Sequence, residues 1–132
     1  MLGNPVTLSN SMNIKELLSR YRAGQRDFRN LNLMAANLRN VDLRGINLSG
    51  ANLTKANLTR ANLGCANLTG TILVGANLSE TNFTKANLTD ADLSNANLSD
   101  TNLSHAYLRD TKMPEEVKSS KRSNQSEKML AQ

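Results

Sequence analysis

Large rings are almost missing from this chain: of 132 residues two are Phe, two are Tyr and none is Trp. A core organised around aromatic side chains is therefore excluded, and a core must come from smaller groups. One cysteine, Cys65, cannot close a disulfide within the chain. One histidine, His105, cannot furnish a multi-histidine metal site, so no metal and no cofactor is expected. Apolar runs fall far short of the roughly 18 residues that cross a bilayer as a helix. The opening MLGNPVTLSNSMNIKELL has no basic stretch followed by an apolar one, so no signal peptide is read and a cytoplasmic location is expected. Acidic residues are also the minority, 11 against 16 basic, for a net charge of +5. The length suits one domain.

What the chain has in abundance is a period of five. Taking the apolar centre of each unit as reference, the centres are Phe28, Leu33, Leu38, Leu43, Leu48, Leu53, Leu58, Leu63, Leu68, Leu73, Leu78, Phe83, Leu88, Leu93, Leu98, Leu103 and Leu108, seventeen units in phase. Two positions earlier (−2) stand ten Ala, three Thr, Leu31, Val41, Ile46 and the misfit Arg26. Between them (−1) stand twelve Asn and three Asp, with Ile72 and Tyr107 as exceptions. Five residues match neither the 3.6-residue helical period nor the period of two of a long strand. From −2 to +1, however, apolar and polar residues alternate as in a strand. The fifth residue must then turn the chain, since otherwise the next unit would show its Leu to the opposite face. Short strands that always turn the same way wind a solenoid around an apolar interior. Each buried Leu contributes on the order of 1.5–3 kcal/mol before conformational entropy is subtracted. No unit folds alone; stacking stabilises all of them together.

The units resemble the A(N/D)LXX signature of the pentapeptide repeat family, almost literally in Ala51-Asn52-Leu53-Thr54-Lys55, over about residues 26–112. The resemblance implies an all-β solenoid, a right-handed quadrilateral parallel β-helix with four units per coil, −2 and centre residues inward. Seventeen units then make about four coils, a rod roughly 20 Å long. The small size and the N-terminal segment are most similar to short cyanobacterial members.

Outside the repeat, residues 13–24 read as a short N-terminal capping α-helix. Ile14, Leu17, Leu18 and Tyr21 form one apolar stripe, Asn13 and Glu16 a capping box, and Gly24 the C-terminal stop. Such a helix covers the apolar cross-section and unpaired edges that a solenoid exposes at its end. Leu31, Val41 and Ile46 in the first coil widen the apolar rim beneath it. Residues 1–12 read as a flexible arm and 25–113 as the β-helix. Residues 114–132 read as a tail, with one helical turn near Glu115 before a disordered stretch.

Departures from the motif single out one patch. Ile72 stands in an Asn slot, Val74 follows the same centre, and with four sides Met34 shares their face two coils away, so the three form a candidate contact patch. Tyr107, also in an Asn slot, is expected to help cover the far end. Charge divides along the chain, +4 over residues 26–60 and −3 over 61–110, which suggests association between opposite ends or an acidic partner.

These features rank the function classes. Cys65 and His105 lie two coils apart, too far for an activated thiolate. Lys85 beside Cys65 is read as a chance surface neighbour. Asp90 and Asp110 stack about 5 Å apart but on a convex wall with no pocket. Catalysis is disfavoured. Outward Thr54, Thr59, Thr69, Thr84 and Thr89 scatter over several faces, which disfavours ice binding. Some pentapeptide repeat proteins imitate a DNA duplex and bind type II topoisomerases, yet an electrostatic duplex mimic needs the opposite charge balance. Nucleic-acid binding through the basic half lacks an aromatic stacking platform. The expectation is a non-catalytic structural or interaction module, monomeric or weakly self-associating, whose partner is another protein.

Overall fold

The computed structural model describes residues 11–115. The arm over residues 1–10 and the tail beyond Glu115 lie outside the described residues. No helix among the described residues is long and apolar enough to cross a membrane.

The first element, α1, spans Ile14–Arg22. Asn13 caps it, its Oδ1 accepting from the Glu16 N–H at 2.8 Å. The Glu16 carboxylate accepts from Arg20 one turn on, at 2.8 Å, and this ion pair takes the place of the expected reciprocal half of a capping box. At the far end Gly24, with φ +108°, ends the helix. Its N–H donates to the Tyr21 carbonyl, and that of Gln25 to the Arg20 carbonyl, the paired bonds of a Schellman motif.

Residues 26–112 then coil. Fourteen parallel bridges join each −1 residue to its counterpart twenty positions on, from Asp27 with Asn47 to Asp92 with Lys112. Four units therefore complete one coil, and each repeated column of units makes a face. We name the faces by their first centres: Phe28, Leu33, Leu38 and Leu43. Neighbouring coils are tied by a regular ladder. The Leu33 N–H donates to the Asn52 carbonyl at 2.7 Å, that of Ala35 to Thr54 at 2.8 Å, and that of Asn52 back to Leu31 at 2.9 Å.

The turn falls on the fifth residue. All seventeen +2 residues have φ between +57° and +70°, whereas no +1 residue has positive φ, as in a type II turn. Fifteen of the turns are closed by a bond from the next −2 N–H to the centre carbonyl, as from Ala36 to Leu33 at 3.1 Å. Only four of the seventeen are Gly, so thirteen other residues hold the left-handed conformation, Asn and Asp at six of them.

Fifteen of the seventeen centres are buried; Leu98 and Leu108 are half-buried, because no further coil covers them among the described residues. Nine of the ten −2 Ala are buried with them. Thr71 and Thr81, fully buried, donate their hydroxyls to the Leu48 and Leu58 carbonyls at 3.0 and 2.7 Å, which removes the desolvation penalty of an inward hydroxyl. Arg26, too polar for its −2 slot, leaves the core and lays its guanidinium over the Tyr21 ring at 3.8 Å.

Of the helix stripe, Leu17 is fully buried, while Ile14, Leu18 and Tyr21 pack half-buried against the core. The Tyr21 hydroxyl donates to the Arg44 carbonyl at 2.6 Å, which fastens α1 to the first coil. One correction concerns the arm. Ser11 bridges Asn32 in parallel and Met12 is only 8% exposed, so these two residues are held. The bridge places Met12 in the column of Leu33, where an apolar side chain turns inward. A second concerns Tyr107. It is 59% exposed and does not fold over the end, because the −1 residue of a bridged strand points outward.

Candidate interaction surface

The outward wall repeats one local device. Every Asn or Asp at −1, fifteen in all, accepts the +1 backbone N–H of its own unit through Oδ1, at 2.9–3.3 Å. A carbonyl or carboxylate oxygen one methylene from Cα suits this Asx turn best, the hydroxyls of Ser and Thr serving only more weakly. Several +1 hydroxyls donate to the same oxygen, as Thr59 does to Asn57 at 2.6 Å. The repeat counts alone did not explain the Asn; the bonds do.

Ile72 breaks the device. It has no oxygen for the Val74 N–H, and among the described residues no hydrogen bond from that N–H is found. Its side chain is instead 40% exposed, between Asn52 and Asp92 on neighbouring coils. Val74 is half-buried beside it, and Met34, 54% exposed, shares the Leu33 face two coils away. The twenty-residue register puts these three on one face, with Thr54 between Met34 and Val74. Tyr107, the third large exposed apolar residue, lies on the Phe28 face and does not join it.

The cysteine, the histidine and the stacked Asp pair lie on other faces, whereas Asp92 stands next to Ile72. Cys65, Lys85 and His105 occupy +2 positions on successive coils of the Leu43 face, all exposed. Asp90 and Asp110 stack at +2 of the Phe28 face, both exposed. Asp27 accepts from Arg29 at 2.9 Å, and this hydrogen bond is the chief cause that holds its carboxyl below the usual range. Asp92 is lowered too, first by the Ser94 hydroxyl, then by the Ser94 N–H and the Lys112 charge. Among the described residues no group of three or more His, Cys, Asp or Glu could hold a metal ion. A shallow cavity of about 340 Å³ lies where α1 meets the first coil, lined by Leu18, Tyr21, Arg22, Asn40, Val41 and Asp42. It brings no nucleophile against a base.

The sequence matches the family described as pentapeptide repeats, eight copies, over residues 32–64, 61–100 and 76–114. The chain belongs to the pentapeptide repeat family. Among solved structures it is 42% identical to alr5209, a pentapeptide repeat protein from Nostoc Pcc 7120, covering 79% of this chain and 86% of that one, with a TM-score of 0.41. It is 38% identical to the pentapeptide repeat protein Rfr23 from the cyanobacterium Cyanothece 51142, covering 66% and 63%, with a TM-score of 0.42. A third is HetL of Nostoc sp. strain PCC 7120, a pentapeptide repeat protein involved in heterocyst differentiation regulation, 33% identical over 72% and 51%, with a TM-score of 0.39. No match is found among curated proteins. Membership of the pentapeptide repeat family accounts for the Ala, Asn and Leu columns, and leaves Ile72 as the residue most in need of another reason.

Proposed function

We propose that this chain is a non-catalytic interaction module. It is a right-handed quadrilateral β-helix of about four coils that presents its Leu33 face to another protein. The observation that carries the reading is Ile72. An Asn there would regain the bond made in fifteen other units, worth about 0.5–1.5 kcal/mol. A residue that forfeits that bond and exposes apolar surface suits contact better than stability.

The test is a pair of measurements on Ile72→Asn. Its melting temperature should rise, and proteins captured from native lysate by the wild-type chain should be lost. An unchanged set of captured proteins overturns the reading, whatever the stability.

A duplex-like surface is not favoured by the arrangement of charge. Glu80, Asp90, Asp100 and Asp110 are confined to the later coils, while Arg29, Arg39 and Arg44 ring the first. Direct nucleic-acid contact through that basic ring has no aromatic side chain on which bases could stack.

A further inference from the structure

The +2 residues form four ladders of corner side chains, one along each face. On the Leu38 face the ladder reads Asn40, Arg60, Glu80, Asp100 over four successive coils. Backbone bonds hold the order rigidly: Asn40 N–H to the Thr59 carbonyl at 2.9 Å, Arg60 to Ser79 at 3.0 Å and Glu80 to Ser99 at 2.9 Å. Arg39, exposed, stands one residue before Asn40. Among the described residues only this ladder carries opposite charges on successive coils. The Phe28 ladder has Asp90 and Asp110, the Leu43 ladder Lys85, and the Leu33 ladder Lys55 and Glu115 three coils apart.

We propose that the Leu38 face is a self-recognition surface, on which a second copy of this chain packs antiparallel. Rotation by a half-turn about an axis along the strands, midway between Arg60 and Glu80, keeps strand position and reverses coil order. Arg60 then faces Glu80 of the second copy, and Asp100 faces Asn40 with Arg39 beside it. Symmetry repeats each pairing, so no like charges meet on this ladder. A parallel arrangement, a half-turn about the rod axis, reverses strand direction and carries this ladder to the opposite corner of the face, so it forms none of these pairs. Between the charges the face is made of Asn57, Asn77, Thr59 and Ser79, short side chains held against the wall by their own Asx bonds, so nothing bulky keeps two copies apart. Within one chain Arg60 donates from Nε to Asn40 Oδ1 at 2.9 Å and pairs with Glu80 at 3.9 Å, and with both charged side chains about half exposed their remaining donors and acceptors can meet a second molecule.

The driving force is modest. Exposed ion pairs contribute about 0.2–1 kcal/mol each, and one face of a four-coil rod is smaller than the ~800 Å² per partner of a stable complex. The association is therefore weak, reversible and sensitive to salt. It uses a different face from the Ile72 patch and stands or falls independently of it.

The experiment is sedimentation equilibrium of the full chain, from roughly 20 mM to roughly 0.5 M salt, over which the Debye length falls from about 20 Å to about 4 Å. Self-association is expected at low salt and lost at high salt. Arg60→Glu places like charges opposite each other at both symmetry-related positions and should weaken it about tenfold or more. The double variant Arg60→Glu, Glu80→Arg restores opposite charges in the antiparallel arrangement and should recover the wild-type behaviour. Both positions are exposed with φ near +60°, where the chain already carries Glu and Arg, so folding is preserved and circular dichroism checks it. A chain that is monomeric at low salt overturns the proposal. So does self-association indifferent to Arg60→Glu, or one that the double variant fails to restore.

Discussion

At the scale of single residues, two neighbouring outward positions are under opposite conformational demands. The +1 position carries five Thr and Val74; the +2 position carries no β-branched residue in seventeen units. At +2 the backbone is left-handed, and a branched Cβ there crowds the preceding and following peptide units. At +1, the first residue of the turn, φ is not positive and a branched Cβ is tolerated. Ala35→Thr is thus expected to cost about 1 kcal/mol. Met34→Thr, the same residue one position earlier on an exposed site, should stay within about 0.5 kcal/mol. Urea denaturation of the two variants checks this. Equal effects would mean that the turn, despite its φ of +59° at Ala35, imposes no residue choice.

The element that most repays attention is α1. It is nine residues long, too short for an isolated helix to be stable in water, so it persists through its caps and its packing. Leu17 supplies the anchor, with no exposed surface, directly over the first coil. Leu17→Asp would place a carboxylate in the apolar core that Leu17 shares with the first coil, and the helix should lift away rather than bury the charge. Light scattering should then show oligomers as the uncovered end of the coil seeks a partner. A monomeric variant with unchanged melting would show that the first coil needs no cover.

Over the whole molecule, acid is the condition that reveals the outer wall. The carboxyls of Asp27 and Asp92 titrate below their ordinary value in the folded chain, for the hydrogen bonds from Arg29 and Ser94. Groups lowered in this way stabilise the fold above the unfolded value, near 3.9, and that contribution disappears as pH falls through the still lower folded values. Stability should be level from neutral pH to about 5 and decline below about 4, where protonation also adds to a net charge already at +5. Ser94→Ala should move the Asp92 titration upward, which carboxyl NMR can follow. No movement would show that the Ser94 bonds do not hold that carboxylate in solution.

The sequence by itself determined the five-residue period, the inward columns of Leu and Ala, the turn at the fifth residue and the position of α1. All of these follow from local alternation, capping residues and the need to keep one side dry. It also showed Ile72 as an exception, since an apolar residue in an Asn column is visible without coordinates. Only the tertiary structure decided what lies above what. The twenty-residue bridges put Met34 in line with Val74 and order Arg60, Glu80 and Asp100 along one corner, because neighbours across coils are set by how many units close a turn. A five-residue period is compatible with any such number. The structure also gave the Asn column its reason, a side-chain oxygen returned to its own turn, and drew Ser11 and Met12 into the fold through a bridge that no repeat in the sequence announces.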